Sequence, residues 1–186
     1  MILISLLKMM QAPLTKKELV LSDTYQLSVL TEKDTTAMVG VFKAVFESYP
    51  FPVFDEGFLI HTMHEGTIYF GIFDGTDLIA ISSAECDVKN KSAEMTDFAV
   101  LPAYRGKSLA LILLNSMEKH LFASGYKTLF TIARLHAGSM NKTFFNAGYK
   151  YSGTLHRNTQ IAGNIESMNV WYKQLISPPF HIGGMQ

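Results

Sequence analysis

Between Glu94 and Ala110 an apolar strand, Glu94 to Val100, runs through the short basic turn Leu101-Pro102-Ala103-Tyr104-Arg105-Gly106-Lys107-Ser108 directly into a helix beginning Leu109-Ala110. A helix opens with amide hydrogens that have no partner inside the helix, and its dipole makes that end positive. Small residues at 106, 108 and 110 keep bulk away from those amides, and Arg105 and Lys107 add charge beside them. Such a junction is suited to a diphosphate. The chain is therefore expected to mix strands and helices around a phosphorylated ligand.

Spacing narrows the ligand. A dinucleotide fingerprint needs G-x-G-x-x-G and a P-loop needs G-x-x-x-x-G-K-[ST]. Only Gly106 is present here, followed by Lys107-Ser108-Leu109-Ala110, so neither fits. The segment resembles the acetyl-coenzyme A loop of the GNAT N-acetyltransferases, R/Q-x-x-G-x-G/A, with Arg105 first and Ala110 last. Ser108 stands where that pattern has its middle glycine, a departure that narrows the space and adds a hydroxyl.

Composition bounds the alternatives. A length of 186 residues, 48% of them hydrophobic and 12% aromatic, supports one domain with a sizeable core. Sixteen basic and sixteen acidic side chains leave no positive excess for a nucleic acid. Cys86 is the single cysteine, which excludes an intramolecular disulfide and fits the cytoplasm. The apolar opening from Met1 to Leu7 lacks a charged leader and is too short to span a bilayer, so no membrane partner is expected. We read residues 1–24 as an extension that packs on the domain or on a second copy, giving a possible homodimer, 25–175 as the domain, and 176–186 as a coiled tail.

Along the domain the pattern predicts a strand at Tyr25–Leu30, then a helix opened by Thr31-Glu32-Lys33-Asp34, a capping-box pattern, and stopped by Tyr49-Pro50-Phe51-Pro52. Met38, Val41, Phe42, Val45 and Phe46 give it one apolar face. A short helix over Asp55–His64 follows, then strands Thr67–Phe73, Leu78–Val88 and Ala93–Val100. Next come a long helix ending near Gly125, a strand Lys127–Ala133, a helix Ser139–Asn146, and strands Tyr149–Thr159 and Ile165–Leu175. This order is similar to that of the GNAT superfamily. The resemblance implies an α/β (α+β) fold: a mixed, mostly antiparallel sheet of six to seven strands flanked by about four helices.

Acetylating an amine requires a neutral nitrogen, and deprotonating an alkylammonium of pKa about 10.4 costs about 4.6 kcal/mol at neutral pH, so a base is expected. Glu94, in the strand before the loop, is our candidate. Strict alternation would put Glu94, Thr96, Phe98 and Val100 on one face and Asp97 on the other. Asp97 and Glu85 lie in otherwise apolar strands and need a cationic partner, from the protein or from a substrate amine. By resemblance, the backbone of Phe98, Ala99 and Val100 would meet the pantetheine arm, with the Phe98 N–H as oxyanion donor. Arg105, Gly106, Lys107, Ser108, Leu109 and Ala110 would hold the pyrophosphate, and Asn141 would hydrogen-bond the pantetheine. Phe144 occupies the place of the superfamily's usual tyrosine acid, leaving Tyr149 or Tyr151 as substitutes only in a different geometry. His61 and His64 lack further ligands nearby, so no metal is expected.

The segments around Arg134, Gly138–Phe144, Asn158–Lys173 and Tyr49-Pro50-Phe51-Pro52 are similar to those of the β-lysine N6-acetyltransferase branch of that superfamily. That likeness implies acetyl transfer from acetyl-CoA to N6 of β-lysine, which gives a neutral compatible solute used in osmoadaptation. A small-molecule amine is thus the expected partner. Its ammonium would meet Glu85, Asp97 or Glu166, its carboxylate Arg134, Arg157 or Asn158, and its alkyl chain Tyr49 and Phe51. The alternatives are a GNAT acting on a polyamine, an aminoglycoside or a protein N-terminus, and a module that binds coenzyme A without reacting.

Overall fold

A computed structural model gives the arrangement of the chain and describes residues 19–20 and 25–176. Expectations for the rest of the extension and for the tail beyond Ile176 lie outside the described residues. Among the described residues eight strands form one sheet: β1 Leu19–Val20, β2 Tyr25–Val29, β3 Ile68–Asp74, β4 Asp77–Asp87, β5 Ser92–Val100, β6 Thr128–Arg134, β7 Lys150–Ile161 and β8 Asn164–Gln174. Their spatial order is β1-β2-β3-β4-β5-β6-β8-β7, antiparallel throughout except for the parallel pair β5–β6. The mixed sheet expected from the sequence is found. The extra strand, β1, is a two-residue addition to the β2 edge, too short to leave an alternating pattern.

Four helices among the described residues cover the sheet: α1 Thr35–Val45, α2 Glu56–His64, α3 Leu109–Ala123 and α4 Gly138–Asn146. The Thr31 capping box is present, with the Asp34 carboxylate accepting from the Thr31 N–H at 2.8 Å, but it caps a single 3-10 turn that leads into α1. Asp55 caps α2 by accepting from the Phe58 N–H at 2.8 Å. The two faces of the sheet bury separate cores. Met38, Phe42, Leu59, Tyr69, Ile81 and Ala99 pack beneath α1 and α2. Met95, Leu113, Leu114, Met117, Leu129 and Phe144 pack beneath α3 and α4.

Two irregularities interrupt the centre of the sheet. The β5–β6 ladder runs only from the Ser92–Thr128 pair to the Glu94–Phe130 pair, after which the strands diverge. On its other edge β5 is out of simple register with β4: Ser83 faces Thr96 and Ile81 faces Ala99, so both Asp97 and Phe98 stand against Ser82. Asp97 takes φ of +56°, the left-handed conformation, and makes this a β-bulge.

The bulge corrects the expected alternation. Asp97 joins Glu94 on the face covered by α1 and α2, while Phe98 packs with the α3–α4 core. An extra residue in one strand reverses every later side chain, and period-two reading cannot detect it. Because Leu113 is fully buried where α3 meets the sheet, Leu113→Ala is expected to lower the unfolding free energy by about 3 kcal/mol, measured by urea denaturation.

Candidate active site

Where β5 and β6 part, the edge of β5 beyond Glu94 has no strand partner, and a cavity of about 440 Å³ opens. Phe98, Met140 and Phe144 line it toward α4, while Tyr49, Phe51, Glu85, Glu94 and Asp97 line it toward α1 and α2. Phe98 meets Phe144 edge to face at 5.6 Å between ring centres.

The turn at the start of α3 keeps the openness predicted for it. Gly106 has φ of +81° and open space where a Cβ would stand. Ser108 has φ of +58° and gives α3 no side-chain cap, so among the described residues the amides of Gly106, Lys107 and Ser108 have no acceptor. Holding a non-glycine residue in this conformation costs roughly 1 kcal/mol. These groups fit a diphosphate. Leu109, buried in the core, offers only its backbone. Lys107 is turned onto an aromatic pair: its Nζ donates to the Tyr25 hydroxyl at 2.8 Å and stands 5.0 Å from the centre of the Tyr104 ring. Arg105 makes a long 3.4 Å contact with the Val100 carbonyl.

Three carboxylates gather at the other end. Glu85 and Glu94 are direct cross-strand partners, and Asp97 is buried behind them. Asp97 accepts from the Tyr49 hydroxyl at 2.6 Å and from the Ser83 hydroxyl at 2.6 Å. Among the described residues none of the three forms an ion pair with a protein cation. Burial first, then the charges of Glu85 and Asp97, push the Glu94 carboxyl up to about 7. Burial likewise raises Glu85 and Asp97, the latter against the hydroxyls of Ser83, Tyr49 and Thr96.

Several expected residues are used differently. Asn141 is committed to the protein: its amide donates to the carbonyls of Arg134 and Ala137, and its oxygen accepts from Asn169 and from the Trp171 indole. All four of its hydrogen-bonding positions are filled, leaving none for pantetheine. Arg134 and Glu166, expected to meet opposite ends of an acceptor, bind each other through a bidentate pair at 2.8 and 2.6 Å. Asn158 lines the cavity, whereas Arg157 does not. Tyr149 does not line the cavity, and its buried hydroxyl sits beside Glu118. Tyr151 shares a hydrogen bond with Thr154 on the outer surface. His64 contacts Glu32 at 2.8 Å.

Two residues escaped sequence reading. Ser83 supplies Asp97 with a proton donor, and Ser48 accepts the Ala162 N–H at 2.9 Å, joining the α1–α2 loop to the β7–β8 turn beside the cavity. A serine pair inside a buried apolar strand was the one available signal, for Ser83.

A model of the acetyltransferase (GNAT) family matches residues 31–141. The chain belongs to that family. It is 43% identical over 153 residues to a β-lysine N(6)-acetyltransferase of Methanococcus maripaludis, covering 82% of this chain and 56% of the relative. It is 38% identical over 154 residues to the N-acetyltransferase YodP of Bacillus subtilis, covering 83% and 52%. The chain thus spans about half the length of the curated relatives it matches. The fold is shared with a ribosomal-protein-S5-alanine acetyltransferase of Vibrio fischeri, with a TM-score of 0.71 at 14% identity over 87% of this chain and 98% of that one.

The raised Glu94 carboxyl predicts a pH-dependent stability. A carboxyl with folded pKa near 7 and an ordinary value of 4.5 binds its proton more tightly in the folded state, so its stabilisation is complete below 4.5 and is lost as pH rises through 7. In the absence of ligands Tm should therefore fall between pH 5 and pH 8, and Glu94→Gln should flatten that fall in calorimetric scans.

Proposed function

We propose that residues 25–175 of this GNAT protein transfer the acetyl group of acetyl-CoA to N6 of β-lysine, giving N6-acetyl-β-lysine as a compatible solute in the cytoplasm. The observation that carries the reading is the meeting, in one cavity, of a strand edge left without a strand partner and three carboxylates that, among the described residues, form no ion pair with a protein cation. The β-lysine acetyltransferase relative supports the acceptor.

In this reading the turn from Arg105 to Ala110 binds the pyrophosphate through backbone amides, and the freed edge of β5 at Phe98, Ala99 and Val100 receives the pantetheine. The Phe98 N–H is the donor to the carbonyl oxygen as it becomes negative. Ala99, whose side chain is buried beneath α1 and α2, pairs with Ile81 of β4 and lies between the two residues, Phe98 and Val100, whose backbone groups face the free edge. The acceptor arrives as an ammonium, which the carboxylates attract. Glu94, tuned near neutrality, takes one proton and frees the nitrogen lone pair.

Attack on the acetyl carbonyl forms the C–N bond, and collapse of the tetrahedral intermediate breaks the C–S bond. The second nitrogen proton goes to the departing thiolate directly or through solvent, because Phe144 has no proton to give. The products are the amide, coenzyme A and one proton held by Glu94, which returns to solvent.

Glu94→Gln should lower kcat roughly 100-fold at pH 7 and less at pH 10, where the amine is already substantially neutral. An unchanged pH–rate profile would remove Glu94 from this role. Gly106→Glu, which places an anion and bulk at the turn, should weaken acetyl-CoA binding at least tenfold by calorimetry. Unaltered affinity would put the cosubstrate elsewhere.

A further inference from the structure

We infer that this site, if it is the acetyltransferase site proposed above, recognises its acceptor by a second ammonium group rather than by a carboxylate, and that Glu85 is the residue that reads it. The substrate class is a short diamine, of which β-lysine is a carboxylated member.

Glu85 and Glu94 stand directly opposite each other on neighbouring strands. Like charges so placed repel unless a cation lies between them. Glu94 has a part in proton transfer, but Glu85 has none, and neither is compensated by a protein cation among the described residues. Beyond them lies a second cavity of about 580 Å³ that shares Glu85, Glu94, Asp97 and Phe51 with the first and continues toward α2.

Its walls combine Phe58, Tyr69 and Phe130 with the carboxylates of Glu65 and Asp87, and among the described residues no Lys or Arg lines it. His61 is the one basic side chain among those described there. Aromatic faces and carboxylates favour an alkylammonium and disfavour an anion. On β4, Asp87 follows Glu85 on the same face, roughly 7 Å further along the strand; its carboxylate accepts from the Asn90 N–H and side-chain amide but keeps its charge, with no cation paired to it among the described residues. With about 5 Å across the Glu85–Glu94 pair, a point midway between Glu85 and Asp87 lies roughly 6 Å from Glu94, which suits a diamine whose nitrogens are separated by four carbons.

The groups that could have read a carboxylate point to the same conclusion. Arg134 lines the first cavity, but its guanidinium is forked onto Glu166. Lys107 is engaged with Tyr25, and Lys173 with Glu118 and the Ala147 carbonyl. A carboxylate on the acceptor would therefore be left to neutral donors such as Asn158, or to solvent at the cavity mouth.

Two truncated acceptors separate the possibilities. 1,4-Diaminobutane is β-lysine without its carboxymethyl group, and 6-aminohexanoate is β-lysine without its 3-amino group. With acetyl-CoA and thiol detection, 1,4-diaminobutane should show kcat/KM within about tenfold of β-lysine, and 6-aminohexanoate should fall at least 100-fold below it. Glu85→Gln should raise KM at least tenfold for both diamines while leaving KM for acetyl-CoA unchanged. Removing the charge at 85 should also move the acidic limb of the kcat profile to lower pH, because that charge helps to raise Glu94.

Turnover of 6-aminohexanoate as fast as β-lysine, with 1,4-diaminobutane inert, would overturn the inference and leave acetyl transfer standing. Equal KM values for the Glu85→Gln variant and the parent would remove Glu85 from recognition. No acceptor-dependent thiol release from any of the three amines would count against the proposed function itself, and the inference would fall with it.

Discussion

The arrangement depends on one interruption of hydrogen bonding, the parting of β5 from β6 after the Glu94–Phe130 pair. A buried parallel ladder abandoned halfway leaves backbone polar groups that a folded protein must satisfy some other way. Here the same strand then leads through Arg105–Ser108 to the uncapped start of α3, where further amides are without acceptors among the described residues. Both sets of groups suit one long ligand carrying amide and phosphate functions. The fold thus leaves polar backbone exposed along the path that such a ligand would occupy.

The bulge at Asp97 completes the geometry on the opposite side. By inserting one residue it turns Phe98 toward α4 and holds Asp97 on the same face as Glu85 and Glu94. Hydroxyls from Tyr49 and Ser83 hold the Asp97 carboxylate in place but do not neutralise it. Burial, and then mutual repulsion, raise the Glu94 carboxyl toward neutrality, where a proton acceptor is most useful. Stability is given up at the place where chemistry is proposed, and the two apolar cores on either face of the sheet carry the cost.

Sequence reading succeeded where the signal was local and periodic. The Thr31 capping box, the short helix over Asp55–His64 and the apolar row of α1 all follow from residue types a few positions apart. It failed where tertiary partners decide. Nothing near Asn141 in the chain announces Trp171 and Asn169, which fill its oxygen, and nothing near Arg134 announces Glu166 across the sheet. Alternation assigns Asp97 to the wrong face because one residue of bulge leaves no compositional mark.

The central claim is that the splayed strands carry the thioester while the carboxylates hold the amine at its carbonyl. A crystal structure with a bisubstrate analogue, coenzyme A joined through an acetyl linker to N6 of β-lysine, tests this most directly. The account predicts the pyrophosphate against the amides of 105–110, the linker between β5 and β6, and the N6 nitrogen within hydrogen-bonding distance of Glu94 or of one water that it holds. An analogue whose pyrophosphate lies away from the α3 turn, or whose amine end points away from Glu85, Glu94 and Asp97, would contradict it.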